Sequence, residues 1–482
     1  MTSIELKRPL AERALSARVR AVPPSGIRRF FDIAATMEDV ISLGVGEPDF
    51  ATPPQVIEAG IASLRAERTH YTSNYGTLEL RVAISDHLAR RYGVRYDPAS
   101  EIVVTVGASE AVDLALRATI DPGDEVILHE PSYVAYVPAV VFAGGVVRHV
   151  ATRFEDDFAL DPAAVEAAVT PRTKALFLGF PCNPTGAVLP RASQDELAAI
   201  AVRHDLLVYS DEIYDRLAYG DYRHRAMSAL PGMRERTILM GGFSKAYAMT
   251  GWRVGYVCAP AGILEGIVKV HQYGIMSAST VAQDAALVAI TTGDADVEAM
   301  RAEYDRRRRL LVDGLNALGL ATFEPRGAFY AFPRITSTGL DDETFVERLI
   351  TEEHVAAVPG SAFGPSGAGH VRMCYATSYE KIEEALARIG GDEFLILLES
   401  IRVGPDAIAL ADRIRSAVGA PFALPGGDAT VTVSIGIGVY PDDGRDAEEL
   451  LKAADVAMYR ANRETADPLP PHPHGTRDSR SG

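Results

Sequence analysis

The chain has 482 residues, and that length suggests about two or three domains. Hydrophobic residues make up 47% and charged residues 23%, the balance of a soluble globular protein with an ample core. The formal charge of −17 repels phosphate backbones and acidic membrane surfaces, which argues against nucleic acid as the main partner.

In chain order, residues 1–40 predict an arm plus a helix broken at Pro23-Pro24-Ser25-Gly26. The opening MTSIELKRPLAERALSARVRAV mixes both charge signs and lacks an apolar run, so no signal peptide is expected and the cytoplasm is the default. From about 46 to 290, short apolar runs alternate with amphipathic stretches: EIVVTV (101–106), DEVILHE (124–130), KALFLGF (174–180), LLVYSDE (206–212) and TILMGGFSK (237–245). Strands spaced by helices predict an α/β fold, a mainly parallel sheet with helices on both faces. Ligands in such sheets collect at the carboxyl ends of the strands. The long uncharged run 131–147 is broken by Pro131, Pro138 and Gly144-Gly145, so no membrane span is expected.

From about 291 to 389, the charged helix VEAMRAEYDRRRRLLVDGLNAL, the strand-like FYAF (329–332) and YEKIEEALARI (379–389) predict a smaller α+β lobe. Arg306, Arg307, Arg308 and Arg309 have helical periodicity and acidic neighbours, the pattern of a solvated helix face. The character changes at Gly390. GGDEFLILLES reads as a strand, AIALADRIRSAV as a helix, TVTVSIGIGVY as an alternating strand and AEELLKAADVAMYRAN as a helix. The tail from Ala466 is rich in Pro, Gly and Ser and predicts disorder. The expected division is therefore 1–45 (arm and part of the small domain), 46–290 (large domain), 291–389 (small domain), 390–465 (a further α/β segment) and 466–482 (tail). Cys182, Cys258 and Cys374 are far apart and lack ligand spacing, so reduced thiols and no metal site are expected.

Five clusters carry chemistry. In SKAYAMTGWRVG, Lys245 lies in an apolar, glycine-flanked turn, where burial lowers an ammonium's pKa and frees the neutral amine as a nucleophile. Arg253, eight residues on, offers a planar fork suited to a phosphate. Asp211 follows the strand LLVYS; it either caps a following helix or pairs with a pyridine nitrogen, with Tyr214 three residues on at the same side of a helical turn. Asn183, in NPTG after ALFLGF, belongs to a turn and presents a side-chain amide at a strand end. Gly107-Ala108-Ser109-Glu110 opens a helix and exposes amides to an anion. Arg372, inside the apolar GHVRMCYATS, requires a partner, and a substrate carboxylate is a natural one.

Taken together and in this order, the clusters resemble the class I/II aminotransferases of pyridoxal-phosphate (PLP) fold type I, in particular the branch acting on aspartate and aromatic amino acids. The resemblance runs from about Ser25 to Ile389 through SGIRRFF, ISLGVGEPDF, HYTSNYGTLELR, EPSYVAY, NPTG, SDEIY, SKAYAMTGWRVGY and VRMCYATSYEKIEEAL. It implies a fold type I large domain with a small α+β domain, and PLP held as a Schiff base on Lys245. Asp211 then partners the ring nitrogen, Asn183 and Tyr214 contact the ring oxygen, and Tyr133 covers the ring face. Gly107, Ala108, Ser109 and Arg253 contact the phosphate, as does Tyr71 from a second subunit, so a homodimer is implied. Gly46, Asn183 and Arg372 hold the substrate. One position departs from the pattern: Gly242 stands where many relatives carry a phosphate-binding serine, with Ser244 or a backbone amide as the substitute.

Arg388-Ile389-Gly390-Gly391-Asp392-Glu393-Phe394, with ADRIRSAV, VTVSIGIGVYP and LLKAADVAMYRAN, is similar to the later half of the GGDEF domain, which makes cyclic di-GMP. The earlier half, which supplies a metal-binding aspartate and guanine contacts in that family, has no counterpart, and Lys381-Ile382-Glu383-Glu384 stands where an inhibitory motif often lies. The resemblance implies half a cyclase spliced to a nearly complete aminotransferase. The expected activity is transfer of an amino group from aspartate, alanine or an aromatic amino acid to a 2-oxo acid such as 2-oxoglutarate, with Lys245 as general acid/base. Another PLP reaction such as β-elimination, or a signalling protein with a vestigial enzyme, are the competing readings.

Overall fold

The computed structural model describes residues 14–24, 26–390, 405–419, 422–424, 427–429, 433 and 435–465. The chain forms two units, Met1–Asp392 and Glu393–Gly482.

The first unit opens with two short helices, Ala17–Ala21 and Arg28–Ala34, separated by the expected Pro-Pro break. Strand β1 (Ile41–Ser42) follows, and then the strands of one large sheet: β2 (Ile102–Thr105), β3 (Glu125–Glu130), β4 (Val146–Ala151), β5 (Thr173–Gly179), β6 (Leu207–Asp211), β7 (Thr237–Gly242) and β8 (Gly255–Cys258). Their order is β2-β8-β7-β6-β5-β3-β4. The neighbours from β7 through β4 run parallel, whereas β8 is antiparallel to both β2 and β7. Strands β4 and β8 were not among the expected ones. β4 is a largely solvent-facing edge strand without a continuous apolar signal, and β8 is a short run of four residues.

The central strands are apolar throughout because both faces are covered. Alternate residues enter different cores: Val103, Val126, Phe177 and Met240 point into one, while Val104 and Leu239, and Ile127 and Leu176, point to the other side. The β6–β7 pairing sets Asp211 opposite Met240, and β5–β6 sets it opposite Gly179, so the polar residues following these strands share one edge.

Beyond the long helix Asp294–Ala317 come β9 (Tyr330–Ala331), β10 (Val355–Ala356), β11 (Val358–Pro359) and β12 (Val371–Cys374). β11-β12-β9 form an antiparallel sheet, and β1 pairs with β10 in parallel. Tyr304, Leu311, Val346, Ile350 and Ile382 fill the core here, and Ile41 and Leu43 of the N-terminal segment are part of it. The helix Asp294–Ala317 corrects the reading of its arginines. Arg306 and Arg309 face solvent, but Arg307 and Arg308 are buried. Arg307 pairs with Asp49 at 2.8 Å and Glu303 at 2.9 Å; Arg308 pairs with Asp305 at 2.8 Å and Glu324 at 3.0 Å. Adjacent residues lie about 100° apart around a helix, so a run of four must enter both faces.

In the second unit the expected helices are present as Pro405–Val418 and Ala447–Thr465. β13 (Phe422–Leu424) pairs antiparallel with β14 (Gly427–Ala429). The expected strand 430–440 is corrected at its described part: 433 and 435–439 carry no strand pairing. Gly436 and Gly438 lie instead against the backbone of Ala454 and Leu450 of the last helix, an approach that leaves no room for a Cβ. The expected strand 391–400 and the expected disordered tail from Ala466 lie outside the described residues. Among the described residues, no helix is long and apolar enough to cross a membrane, no group of side chains could hold a metal, and all three cysteines are buried and free.

Candidate active site

Asp211 is the last residue of β6 and is buried. Its Oδ2 accepts from Tyr136 Oη at 2.8 Å and its Oδ1 from Ile213 N at 3.1 Å. Burial pushes its carboxyl up to about 6, against the pull of these donors. No ion pair to it forms among the described residues. The segment after Asp211 is a turn, with Asp215 N on Glu212 O and Leu217 N on Tyr214 O, and no helix follows directly for Asp211 to cap.

Lys245 lies in the turn after β7. Its Nζ donates to Gly46 O at 2.6 Å and stands 5.5 Å from the Phe329 ring centroid and 5.9 Å from that of Tyr214. Burial lowers its ammonium to about 8. Tyr214 Oη lies 2.9 Å from Tyr330 Oη. Arg372, in β12, donates from Nη1 to Asn183 Oδ1 at 2.9 Å and from Nη2 to Gly44 O at 2.6 Å. Its guanidinium lies over Tyr330 and Phe363, 4.6 and 4.9 Å from the ring centroids, and its buried Nε has no partner.

Gly107 begins the helix Gly107–Thr119 with φ +76°. A Cβ there would stand 2.7 Å from Arg253 Nη2, and one on Gly255 would stand 2.8 Å from Ala108 N. Glycine at both positions lets the guanidinium close on a helix N-terminus, forming a positive cradle. Ser109 is exposed in the first turn of that helix. A Cβ on Gly242 would lie 2.9 Å from Ile213 Cδ1 and 3.3 Å from Gly255 Cα, so the position that departs from the family pattern is itself crowded. Ser244 is buried nearby in sequence. Tyr133 makes an edge contact with Tyr136 at 5.4 Å.

The expected residues thus gather at or just beyond the carboxyl ends of β2, β3, β5, β6 and β7, on β12, and at Gly46 in the segment after β1. Tyr71 is the exception: its side chain is 81% exposed on the surface. Sequence reasoning missed Tyr136, Tyr330, Phe329 and Gly44. Tyr136 lies three residues after Tyr133 in EPSYVAY, and that spacing was the available signal; Tyr330 and Gly44 come together with Arg372 only through the tertiary fold.

The donor set fits PLP. A phosphate matches the Arg253–Gly107 cradle, a buried carboxylate without a cation matches a pyridinium nitrogen, and a lysine of lowered pKa matches the aldehyde carbon.

A family model, aminotransferase class I and II, matches residues 38–389, and a second, diguanylate cyclase GGDEF domain, matches residues 375–467. The putative aminotransferase YugH of Bacillus subtilis is 51% identical over 375 residues, 78% of this chain and 97% of that protein. The aspartate aminotransferase of Pyrococcus abyssi is 48% identical over 378 residues, again 78% of this chain and 97% of the relative. The structure of Thermus thermophilus aspartate aminotransferase with maleate superimposes with a TM-score of 0.75 at 42% identity, covering 78% of this chain and 98% of that one. A C-terminal segment with GGDEF similarity thus follows an enzyme region with the fold type I architecture, and the chain belongs to the class I and II aminotransferases, enzymes that transfer amino groups with PLP.

Proposed function

We propose that this aminotransferase moves the amino group of aspartate, alanine or an aromatic amino acid to a 2-oxo acid such as 2-oxoglutarate, with Lys245 as the residue that holds PLP. The observation that carries the assignment is geometric: Lys245, just after β7, and the buried Asp211, at the end of the neighbouring β6, stand at adjacent strand ends beside the Arg253–Gly107 cradle, and burial lowers the lysine to about 8 and raises the carboxylate to about 6. Bound PLP supplies an electron sink for the pair left when the substrate Cα–H bond breaks. Lys245 Nζ, neutral in a large share of molecules near pH 8, takes that proton as general base and returns it as general acid. Asp211 would partner the ring nitrogen and hold a proton there. Asn183 and Tyr214 would donate to the ring oxygen, and Tyr133 would cover the ring face.

Arg253 and the amides of Gly107, Ala108 and Ser109 bind the phosphate. Arg372 takes the substrate α-carboxylate in its fork; Asn183 Oδ1 and Gly44 O, which it now holds, keep the guanidinium oriented. Gly46 lies beside this site, close to Tyr330 Oη. The first unit divides, on this reading, into an arm (1–45), a large PLP domain (46–290) and a small domain (291–389), supported by the separate sheets β2–β8 and β11-β12-β9. Replacing Lys245 with Ala should lower steady-state transamination by on the order of 10³-fold or more, while the protein still folds and takes up PLP noncovalently. Retained turnover would overturn the assignment.

The active unit on this reading is a cytoplasmic homodimer. Tyr71, at 81% exposure, lies on a surface with Tyr273 (87%), Ile275 and Met276, and Asn74 Nδ2 donates to Met276 O at 2.9 Å to join the two loops. Such an apolar patch suits a second copy, into whose phosphate cradle Tyr71 reaches. Residues 390–465 do not make cyclic di-GMP on this reading. The stretch 375–389, shared by both family matches, contributes to the helix Tyr379–Gly390, whose Ile382 and Ala385 are buried in the aminotransferase core.

A further inference from the structure

Lys245 and Arg253 are carried by one loop, 243–254, that has turns but no regular structure. Two of its residues that bear side chains, Ala248 (φ +51°) and Arg253 (φ +54°), are left-handed, a conformation such residues hold only where their surroundings impose it. The surroundings here include one hydroxyl. Thr52, nearly buried just before the helix Pro54–Arg65, donates from Oγ1 to Ala248 O at 2.7 Å and accepts from Trp252 Nε1 at 3.0 Å. It therefore grips the loop at the first left-handed residue and at the residue preceding the second. The Trp252 ring in turn lies on Gly60 of that helix, where a Cβ would meet Cη2 at 2.6 Å.

Thr52 also ends a strap, residues 44–52, that holds two further cations of the site and one of the long helix. Gly44 O holds Arg372, Gly46 O holds Lys245, and Asp49 holds Arg307. We infer that Thr52 is a positioning residue, whose hydroxyl clamps the 243–254 loop so that Lys245 and Arg253 meet the cofactor together. The inference rests on the reading that these two residues hold PLP. A valine at 52 would keep the shape but could neither donate to Ala248 O nor accept from Trp252 Nε1, leaving both groups without their partner and the left-handed turns free to relax. A serine keeps both bonds.

The test uses the full-length protein, stripped of cofactor and titrated with PLP, and follows PLP uptake by absorbance and the emission of Trp252, the only tryptophan. Thr52→Val should weaken PLP binding by about ten-fold or more and shift the emission of the cofactor-free protein, since a lost interior hydrogen bond leaves two unsatisfied groups. Thr52→Ser should stay within about two-fold of the wild type, because it makes the same two bonds. Thr52→Val with unchanged PLP affinity and emission, or Thr52→Ser as weak as Thr52→Val, overturns the inference. If Thr52→Val does not fold, Trp252→Phe decides: it removes one arm of the clamp and should weaken PLP binding, and unchanged affinity overturns the proposal. Failure of the wild type itself to take up PLP would sink the reading of Lys245 and Arg253 instead, and the emission shift would still report on the clamp.

Discussion

At the end of β6 the Asp211 carboxylate has a phenol and a backbone amide as donors and no cation in ion-pair contact among the described residues. Its pKa rises from 3.8 to about 6 because burial penalises the charge, so the ionised form costs the cofactor-free fold about 3 kcal/mol at neutral pH and above. The sign follows from the raised value: the folded state is favoured below pH 3.8 and loses that advantage as pH rises through about 6. Asp211→Asn removes the charge and keeps an acceptor for Ile213 N. Without cofactor, the variant should therefore melt above the wild type at pH 8 and lose its lead near pH 4, by calorimetry. With PLP its turnover should fall by orders of magnitude, because the ring nitrogen loses its negative partner. A variant that turns over normally would reduce Asp211 to a turn cap.

Along the helix Asp294–Ala317, charge alone does not tell which arginines matter. Arg307 carries its charge into the interior and ties the helix to Asp49 of the strap that holds Lys245 and Arg372. Replacing it with Met leaves Asp49 and Glu303 without their buried partner and should cost about 2 kcal/mol. Arg306, one residue earlier, pairs with Glu303 in solvent at 2.9 Å. Arg306→Ala should change stability by less than about 0.5 kcal/mol. Urea unfolding of the two variants separates these outcomes, and equal losses would contradict the burial of one and exposure of the other.

For the whole molecule, the aminotransferase match ends at residue 389 and the first compact unit at Asp392. A chain ending at Ile389 should keep transamination with kcat/KM close to that of the full protein, since every site residue precedes that point. The full-length protein, given labelled GTP and magnesium, should form no cyclic di-GMP above a control without enzyme. Product above that control would show that residues 390–465 find the missing half of a cyclase site elsewhere. The proposed dimer is checked by light scattering at assay concentration, where a fully active monomer would count decisively against a role for Tyr71 in a neighbouring site.

Much of this enzyme was determined by local sequence. Short apolar runs rich in β-branched residues and alternating with amphipathic stretches mark buried strands, so β2, β3, β5, β6 and β7 were legible, and with them the edge on which Asn183, Asp211 and Lys245 collect. SKAYAMTGWR and SDEIY are continuous in the chain, so Lys245 and Asp211 could be singled out without a fold. β4 and β8 were not legible: β4 is an edge strand whose residues mostly face solvent, and β8, Gly255–Cys258, follows directly on the glycine-flanked lysine turn with no separate apolar run to mark it. The alternating segment near 435–439 shows the converse: the pattern of a strand is present, but glycines press it against a helix and no pairing follows. Which partners hold Arg372, that Tyr136 rather than a cation stands on Asp211, and that Thr52 reaches Ala248 and Trp252 were decided by tertiary structure alone. These contacts join residues far apart in sequence, and burial, which sets the pKa values of Lys245 and Asp211, exists only once the chain has closed around them.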